Sequence, residues 1–291
     1  MLPGYLAVLT TAACWGTSGI FINLIMTGSG VSATGLAFWR DFTAFLFFFV
    51  ICVISRRHSM RVKKADLPWL GLMGINLGLF HVSWNFGILL NGAAVTTVQQ
   101  AAMPVIVIAF ARIFWHESLT WQKIVSVILI IAGTVFVSGL ISANRSDLTT
   151  LGIAAGFCVP LFYSGWSMLG KKVSGQYASE VILTYAFGVA AVVLAPLQFF
   201  MPSPLPFNSM RTIIFFAGLI GIATGGGFYA FTFGLSRLPA GVASILVMSE
   251  ILFVSVFAYY FLGEIMTGIQ MIGAGLVMGG VVVLFQRRKK K

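Results

Sequence analysis

The chain has 291 residues, 59% of them hydrophobic and only 9% charged, and carries a net charge of +11. An ordinary soluble domain has about 25% charged residues, so this composition excludes one. The apolar segments take up most of the chain and leave no length for a separate soluble domain.

A helix needs about 20 apolar residues to cross the hydrocarbon layer. Ten such spans are predicted, at 4–27, 33–55, 67–89, 93–115, 121–140, 149–170, 178–200, 211–234, 240–262 and 267–286. They do not alternate polar with apolar residues, which argues against β-barrel strands. Span 1 has no basic leader and carries Trp15-Gly16 at its centre, as a retained span does. Span 2 contains Arg40-Asp41, read as a pair that neutralise each other. The basic loop 56–66 follows. Span 3 places Gly74 and Gly78 four apart for close helix packing, then His81, Trp84 and Asn85 on one face. Leu89-Leu90-Asn91-Gly92 turns the chain into span 4, where Gln99 and Gln100 precede Pro104. His116-Glu117, Ser118 and Thr120 open span 5 and are expected to cap its free N–H groups.

After the polar stretch Ser142–Thr150, span 6 brings Tyr163 and Trp166 to one face. Spans 7 and 8 are separated by Met201–Phe207, where three prolines deny a helix. Gly225-Gly226-Gly227 loosens the middle of span 8, just before Tyr229. Leu235–Pro239 turns into span 9, with Glu250 at its middle. In span 10, Gly275 and Gly279 are read as intramolecular packing, with a dimer contact as the alternative.

Residues 5–137 can be laid on 152–284 with one constant offset. Gly71, Gly74, Gly78 and Phe86-Gly87 then meet Gly218, Gly221, Gly225 and Phe233-Gly234. Phe110, Phe114, Glu117 and Thr120 likewise meet Phe257, Phe261, Glu264 and Thr267. The organisation is therefore a five-helix repeat over 1–140, a second over 149–286, and a basic tail 287–291. An odd number of crossings turns the second copy upside down. Inverted repeats of this kind place a substrate between the copies near mid-membrane. The expected fold is all-α and membrane-integral, 5+5, around a central cavity.

The basic residues follow the same frame. Arg56, Arg57, Arg61, Lys63, Lys64, Arg112, Lys123, Lys171, Lys172, Arg237 and the tail all fall on one side. The positive-inside rule puts that side, and both termini, in the cytoplasm. Topology accounts for the charge, so no nucleic-acid partner is expected.

Other chemistry is sparse. Cys14, Cys52 and Cys158 lie in apolar spans without metal-ligand spacing, so no metal or cofactor is expected. Gly165–Lys172 and Gly28–Ala33 imitate phosphate-binding loops but lack the surrounding strand and loop. No catalytic constellation appears, which disfavours a membrane-embedded enzyme. What remains is a set of polar and aromatic side chains at membrane depth: Trp15, His81, Trp84, Asn85, Gln99, Gln100, Tyr163, Trp166, Tyr229 and Glu250. Such groups are either packing or the lining of a wet cavity. Glu250 is read as a functional acid, with a protonated, hydrogen-bonded side chain as the alternative.

Trp15-Gly16, Arg40, the glutamates Glu117 and Glu264 and the 5+5 repeat resemble the drug/metabolite transporter superfamily, in its EamA-type ten-helix branch. Within it the chain is most similar to YddG-type aromatic amino acid exporters. The resemblance covers nearly the whole chain. It implies a ten-helix basket in a bacterial inner membrane that exports aromatic amino acids, as a monomer or weak homodimer. It also implies that Glu117 and Glu264 are structural. A broad exporter of cationic aromatic drugs is the other transport reading. The family often has a proline in span 9, where this chain has Ile251.

Overall fold

The computed structural model describes residues 2–55, 60–138, 149–200, 202–262 and 267–285. Glu264, the tail and most of the linker between the copies lie outside them, as do Arg56, Arg57 and His58. The described residues form helices and no β-strand. Among the described residues, nine helical stretches are long and apolar enough to cross a membrane, and Trp121–Val137 is a shorter apolar helix. Its 17 residues span about 25 Å, close to the hydrocarbon thickness. All ten predicted spans are therefore present.

In chain order the helices are α1 (Leu2–Gly16), α2 (Ser18–Ser29), α3 (Ala33–Ser55), α4 (Leu67–Gln100), α5 (Met103–Phe114), α6 (Trp121–Val137) and α7 (Thr150–Val173). They continue as α8 (Ser179–Phe200), α9 (Met210–Gly218), a π-helical segment Leu219–Gly226, α10 (Gly227–Leu235), α11 (Ala240–Val247), α12 (Glu250–Leu262) and α13 (Gly268–Phe285). The helical stretch α4 holds two spans, Lys64–Leu90 and the start of Val95–Phe114. A Cβ built on Gly87 would lie 2.7 Å from Thr96 Oγ1. A straight helix separates residues nine apart by about 13.5 Å. The chain therefore doubles back between them, as the turn at 89–92 predicts.

The two halves interlock rather than stand apart. α4 packs on α7, α6 on α13, α3 on α8, α1 on α10 and α5 on α11, and each pair takes one helix from each half. The packing is reciprocal under the repeat offset, since α1 against α10 repeats α7 against α4.

Glycines let the backbones meet where lipid offers no hydrophobic drive to press helices together. A Cβ on Gly74 would stand 2.5 Å from the Ala186 carbonyl oxygen of α8, so this pair is packing, as read. A Cβ on Gly273 would meet Phe136 Cβ at 2.6 Å and the Gly133 carbonyl at 2.7 Å, which fixes α13 on α6. Gly275 and Gly279 correct the sequence reading, because a side chain on either meets nothing within 4 Å. They lie off the face that carries Gly273 and Gly280.

Span 8 does not break at its glycines. It widens into π turns over Leu219–Gly226 and remains helical, with Gly227 tight against the Trp15 indole. Capping also differs in one respect. Thr120 accepts from Lys123 N and caps α6, as predicted. Glu117 instead crosses to span 9. Its Oε1 accepts from Ala240 N at 2.8 Å and its Oε2 from Gly241 N at 3.3 Å, so it caps α11. Lys123 Nζ donates to the same Oε2 at 3.0 Å.

Candidate substrate-binding cavity

Three spans are interrupted at mid-depth. Span 1 breaks at Thr17, span 4 at Ala101-Ala102 and span 9 at Met248-Ser249. The last two positions correspond under the repeat offset. At both, N–H groups turn to carbonyls three residues back: Ala101 is shared between Thr97 and Val98, Ala102 bonds Gln99, Met248 bonds Ile245 and Ser249 bonds Leu246. Each tight turn ends one half-helix and starts the next. Gln100 is thus the last residue of α4 and Glu250 the first of α12, and Gln100 Nε2 donates to Glu250 Oε2 at 3.4 Å.

These two residues line a narrow central cavity with Ser18 and Arg40 on the polar side. Trp15, Phe80, Trp84, Tyr163 and Phe228 form the aromatic side. The rings pack closely, with Trp15 5.0 Å from Phe228 and 5.6 Å from Tyr163, and Phe80 5.1 Å from Tyr163. The space left between them admits about one water molecule. On the side of the basic loops, Trp166 stacks on Phe231 at 5.2 Å and closes the floor. Further out on that side, Lys171 Nζ donates to the carbonyls of Leu235 and Leu238 at 2.7 and 2.8 Å, tying α7 to the end of α10.

Of the ten candidate residues, Trp15, Trp84, Gln100, Tyr163 and Glu250 meet in this cavity. Trp166 sits against it, in contact with Trp15 and Tyr163, with its indole N–H buried and unpartnered. The other four are placed elsewhere. His81 Nδ1 is 2.6 Å from Asp41 Oδ1, both fully buried, behind Phe228. Asn85 donates to the Ala33 carbonyl at 2.9 Å and joins α4 to the start of α3. Gln99 donates to the Ile153 carbonyl at 3.0 Å and fits over Gly156. Tyr229 is 42% exposed and lines a separate pocket with Glu180, Thr232 and Arg237.

Arg40, Phe80 and Phe228 were not candidates. The reading of Arg40-Asp41 as a self-neutralising pair is corrected, because no ion pair joins them. Consecutive residues on a helix point about 100° apart and do not face each other. Asp41 turns to His81, and Arg40 turns to the cavity, where its Nε donates to Thr224 Oγ1 at 2.9 Å. That spacing rule was available in the sequence. Phe228 carried a weaker signal, as the residue following the glycine run. Among the described residues no group of three or more His, Cys, Asp or Glu side chains is placed to hold a metal ion.

The family of EamA-like transporters matches the chain twice, over residues 2–139 and 150–286. The chain is a member of the EamA-like transporter family. It is thus a multi-pass membrane transporter built from two repeats. Among its relatives, an uncharacterized transporter of Archaeoglobus fulgidus is 25% identical, covering 98% of this chain and 99% of its own. A protein of Streptantibioticus cattleyicolor named as a probable terminal-alkyne amino-acid exporter is 23% identical, covering 97% and 93%. A solved crystal structure with 18% identity superposes with a TM-score of 0.79 over 97% of this chain and 96% of its own, a likeness of fold alone. For this EamA-like transporter the cavity between the repeats is the candidate substrate site.

Proposed function

We propose that the protein exports aromatic amino acids and related small metabolites across a bacterial inner membrane by alternating access. The two copies lie inverted in the bilayer, and both termini face the cytoplasm. One observation carries the reading: an acid, Glu250, stands at the junction of two broken helices and faces a wall of aromatic rings. Discontinuous helices meeting at mid-membrane are how many secondary transporters expose backbone and side-chain polarity to a substrate. Glu250 takes the α-ammonium group or a coupling proton, Gln100 supplies a hydrogen bond, and Trp15, Trp84 and Tyr163 stack on the substrate ring. The relative named as an amino-acid exporter supports the substrate class.

With the basic loops in the cytoplasm, the Trp166–Phe231 stack and the Lys171 tie close the cytoplasmic side. Loading the cavity then requires these rings to part as one copy rocks against the other. The test is counterflow in liposomes with a panel of labelled amino acids and a variable pH gradient, using wild type and Glu250→Gln. Aromatic amino acids should exchange, and the variant should lose exchange or its pH dependence. Unchanged flux at every pH removes Glu250 from the mechanism. Exchange of cationic aromatic drugs in place of amino acids replaces the substrate class.

A further inference from the structure

An arginine and an acid face this cavity, and no direct contact joins them. Arg40 and Glu250 are 3% and 8% exposed, line the same space, and form no ion pair. Arg40 commits only its Nε, to Thr224 Oγ1 at 2.9 Å. Its guanidinium lies over the Phe228 ring at 5.7 Å, and among the described residues its two terminal amino groups have no hydrogen-bond acceptor. The adjacent Asp41 makes no hydrogen bond to it, its Oδ1 lying 2.6 Å from His81 Nδ1. Across the cavity, Glu250 Oε2 has one neutral donor, Gln100, at 3.4 Å, and among the described residues no cation within ion-pair distance. Buried charges in lipid are expensive unless matched, and an unmatched pair of opposite sign facing one cavity is matched by a ligand that carries both signs.

We propose that Arg40 holds the α-carboxylate of the substrate while Glu250 holds its α-ammonium group, so that the cavity selects zwitterionic amino acids over aromatic amines and acids. The proposal rests on the amino-acid reading above and deepens it. The planar guanidinium offers two parallel N–H donors to a carboxylate, a geometry an ammonium does not reproduce. The aromatic side, with Trp15, Phe80, Trp84 and Tyr163, is left for the side chain. An amine without a carboxylate leaves Arg40 unmatched, and an acid without an amine leaves Glu250 unmatched. A site with buried polar groups rejects analogues that leave those groups unpaired.

The experiment is counterflow by the full-length chain in liposomes with three probes: L-phenylalanine, L-phenylalaninamide and phenethylamine. In wild type, phenylalanine should be preferred by about 10- to 100-fold over either amine, the expected effect of one charge-assisted interaction. Arg40→Gln should lower phenylalanine exchange by a similar factor and leave both amines within about twofold, abolishing the preference. Arg40→Lys should restore part of it, because the charge returns without the bidentate fork. Three results overturn the proposal. One is wild type exchanging phenylalanine and its amide equally. Another is Arg40→Gln lowering all three probes alike, the mark of a purely structural arginine. The third is Arg40→Lys retaining the full preference, which shows that the fork does not matter. Should Arg40→Gln fail to insert, the wild-type probe comparison and Arg40→Lys still decide. If wild type exchanges the amines and no amino acid, the amino-acid reading falls with the proposal. That outcome is visible before any variant is measured.

Discussion

Glu117 joins its own turn to spans 5 and 9 through one side chain, so its removal has a calculable cost. Its carboxylate accepts from Ala240 N at 2.8 Å and Gly241 N at 3.3 Å, and receives Lys123 Nζ at 3.0 Å. The side chains of Lys123 and Glu117 are 8% and 13% exposed, so solvent does little to replace these bonds. Glu117→Ala strips α11 of its cap, worth about 1–2 kcal/mol. It also strands Lys123, and breaking a buried pair from one side costs about 3–5 kcal/mol. Allowing for partial exposure and overlap between the two terms, about 3 kcal/mol is expected. For a chain of this size that lowers the melting temperature by about 6–12 °C. Glu117→Gln keeps an acceptor for Ala240 N and loses the charge, so it should cost roughly half as much. Lys123→Met alone should be milder still, because the backbone donors of α11 continue to satisfy the carboxylate. The assay is thermal unfolding in detergent, followed by intrinsic tryptophan fluorescence. The double variant Glu117→Ala, Lys123→Met should lose less than the sum of the singles, by about 1–2 kcal/mol. Additive losses, or equal losses for Glu117→Ala and Glu117→Gln, refute the idea that the charge links the two partners.

Two further outcomes are expected. Gly273→Ala forces a methyl to 2.6 Å from Phe136 Cβ and should destabilise by about 1–3 kcal/mol, whereas Gly275→Ala and Gly279→Ala meet open space and should be neutral or slightly stabilising. Equal effects in the same melting assay contradict the assignment of the α6–α13 contact to one glycine face. At the membrane edge, the Tyr177 hydroxyl donates to Asp66 Oδ2 at 2.6 Å, and this bond to a carboxylate raises the phenol pKa above its usual 10. A raised folded-state pKa means that the bond's contribution is fully present below about pH 10 and is lost as pH rises through the folded value. Ultraviolet titration should therefore show a late-ionising fraction that Tyr177→Phe or Asp66→Asn reduces by one tyrosine. A tyrosine profile unaltered by Asp66→Asn excludes the coupling.

The sequence discloses some levels of this structure and conceals others, for physical reasons. Span number follows from hydrocarbon thickness, which acts on each segment alone, so the ten spans and the turns between them were readable one at a time. The repeat offset was readable from glycines, several of which sit at close contacts, as Gly74 on Ala186 and Gly234 on Val8 illustrate, while Gly71 and Gly221 meet open space. Side-chain destinations were harder. His81, Asn85 and Gln99 are polar at membrane depth, as the sequence says, but a buried polar group satisfied by another helix looks the same in sequence as one facing a cavity. Asp41, the Ala33 carbonyl and the Ile153 carbonyl are the partners that took them. Tyr229 was misplaced by the helical period, since it follows Phe228 by one residue and one residue turns the face by about 100°. Glu117 was expected to cap its own neighbouring span and instead reaches residues 123 positions away. No local rule encodes that.

The broken helices show where the local rules stop. Pro104 stands just inside α5, and proline explains a break in span 4, because it lacks an N–H and clashes with the preceding turn. Ile251 occupies the equivalent place in span 9 and explains nothing, yet the chain breaks there at the corresponding pair, Met248-Ser249. What the second break has is Ser249, whose Oγ donates to the Leu246 carbonyl at 2.8 Å, the carbonyl its own N–H also bonds, so that both bonds favour the tight turn. It also has Glu250 as the first residue of α12, where a carboxylate is favoured by the free N–H groups and the helix dipole. One copy breaks by removing a donor, and the other by closing a tight turn on one carbonyl and giving the new N-terminus an acid. The two routes lead to the same geometry, and only the second places a carboxylate in the cavity. The departure from the proline pattern is thus the step that brings Glu250 to face Arg40.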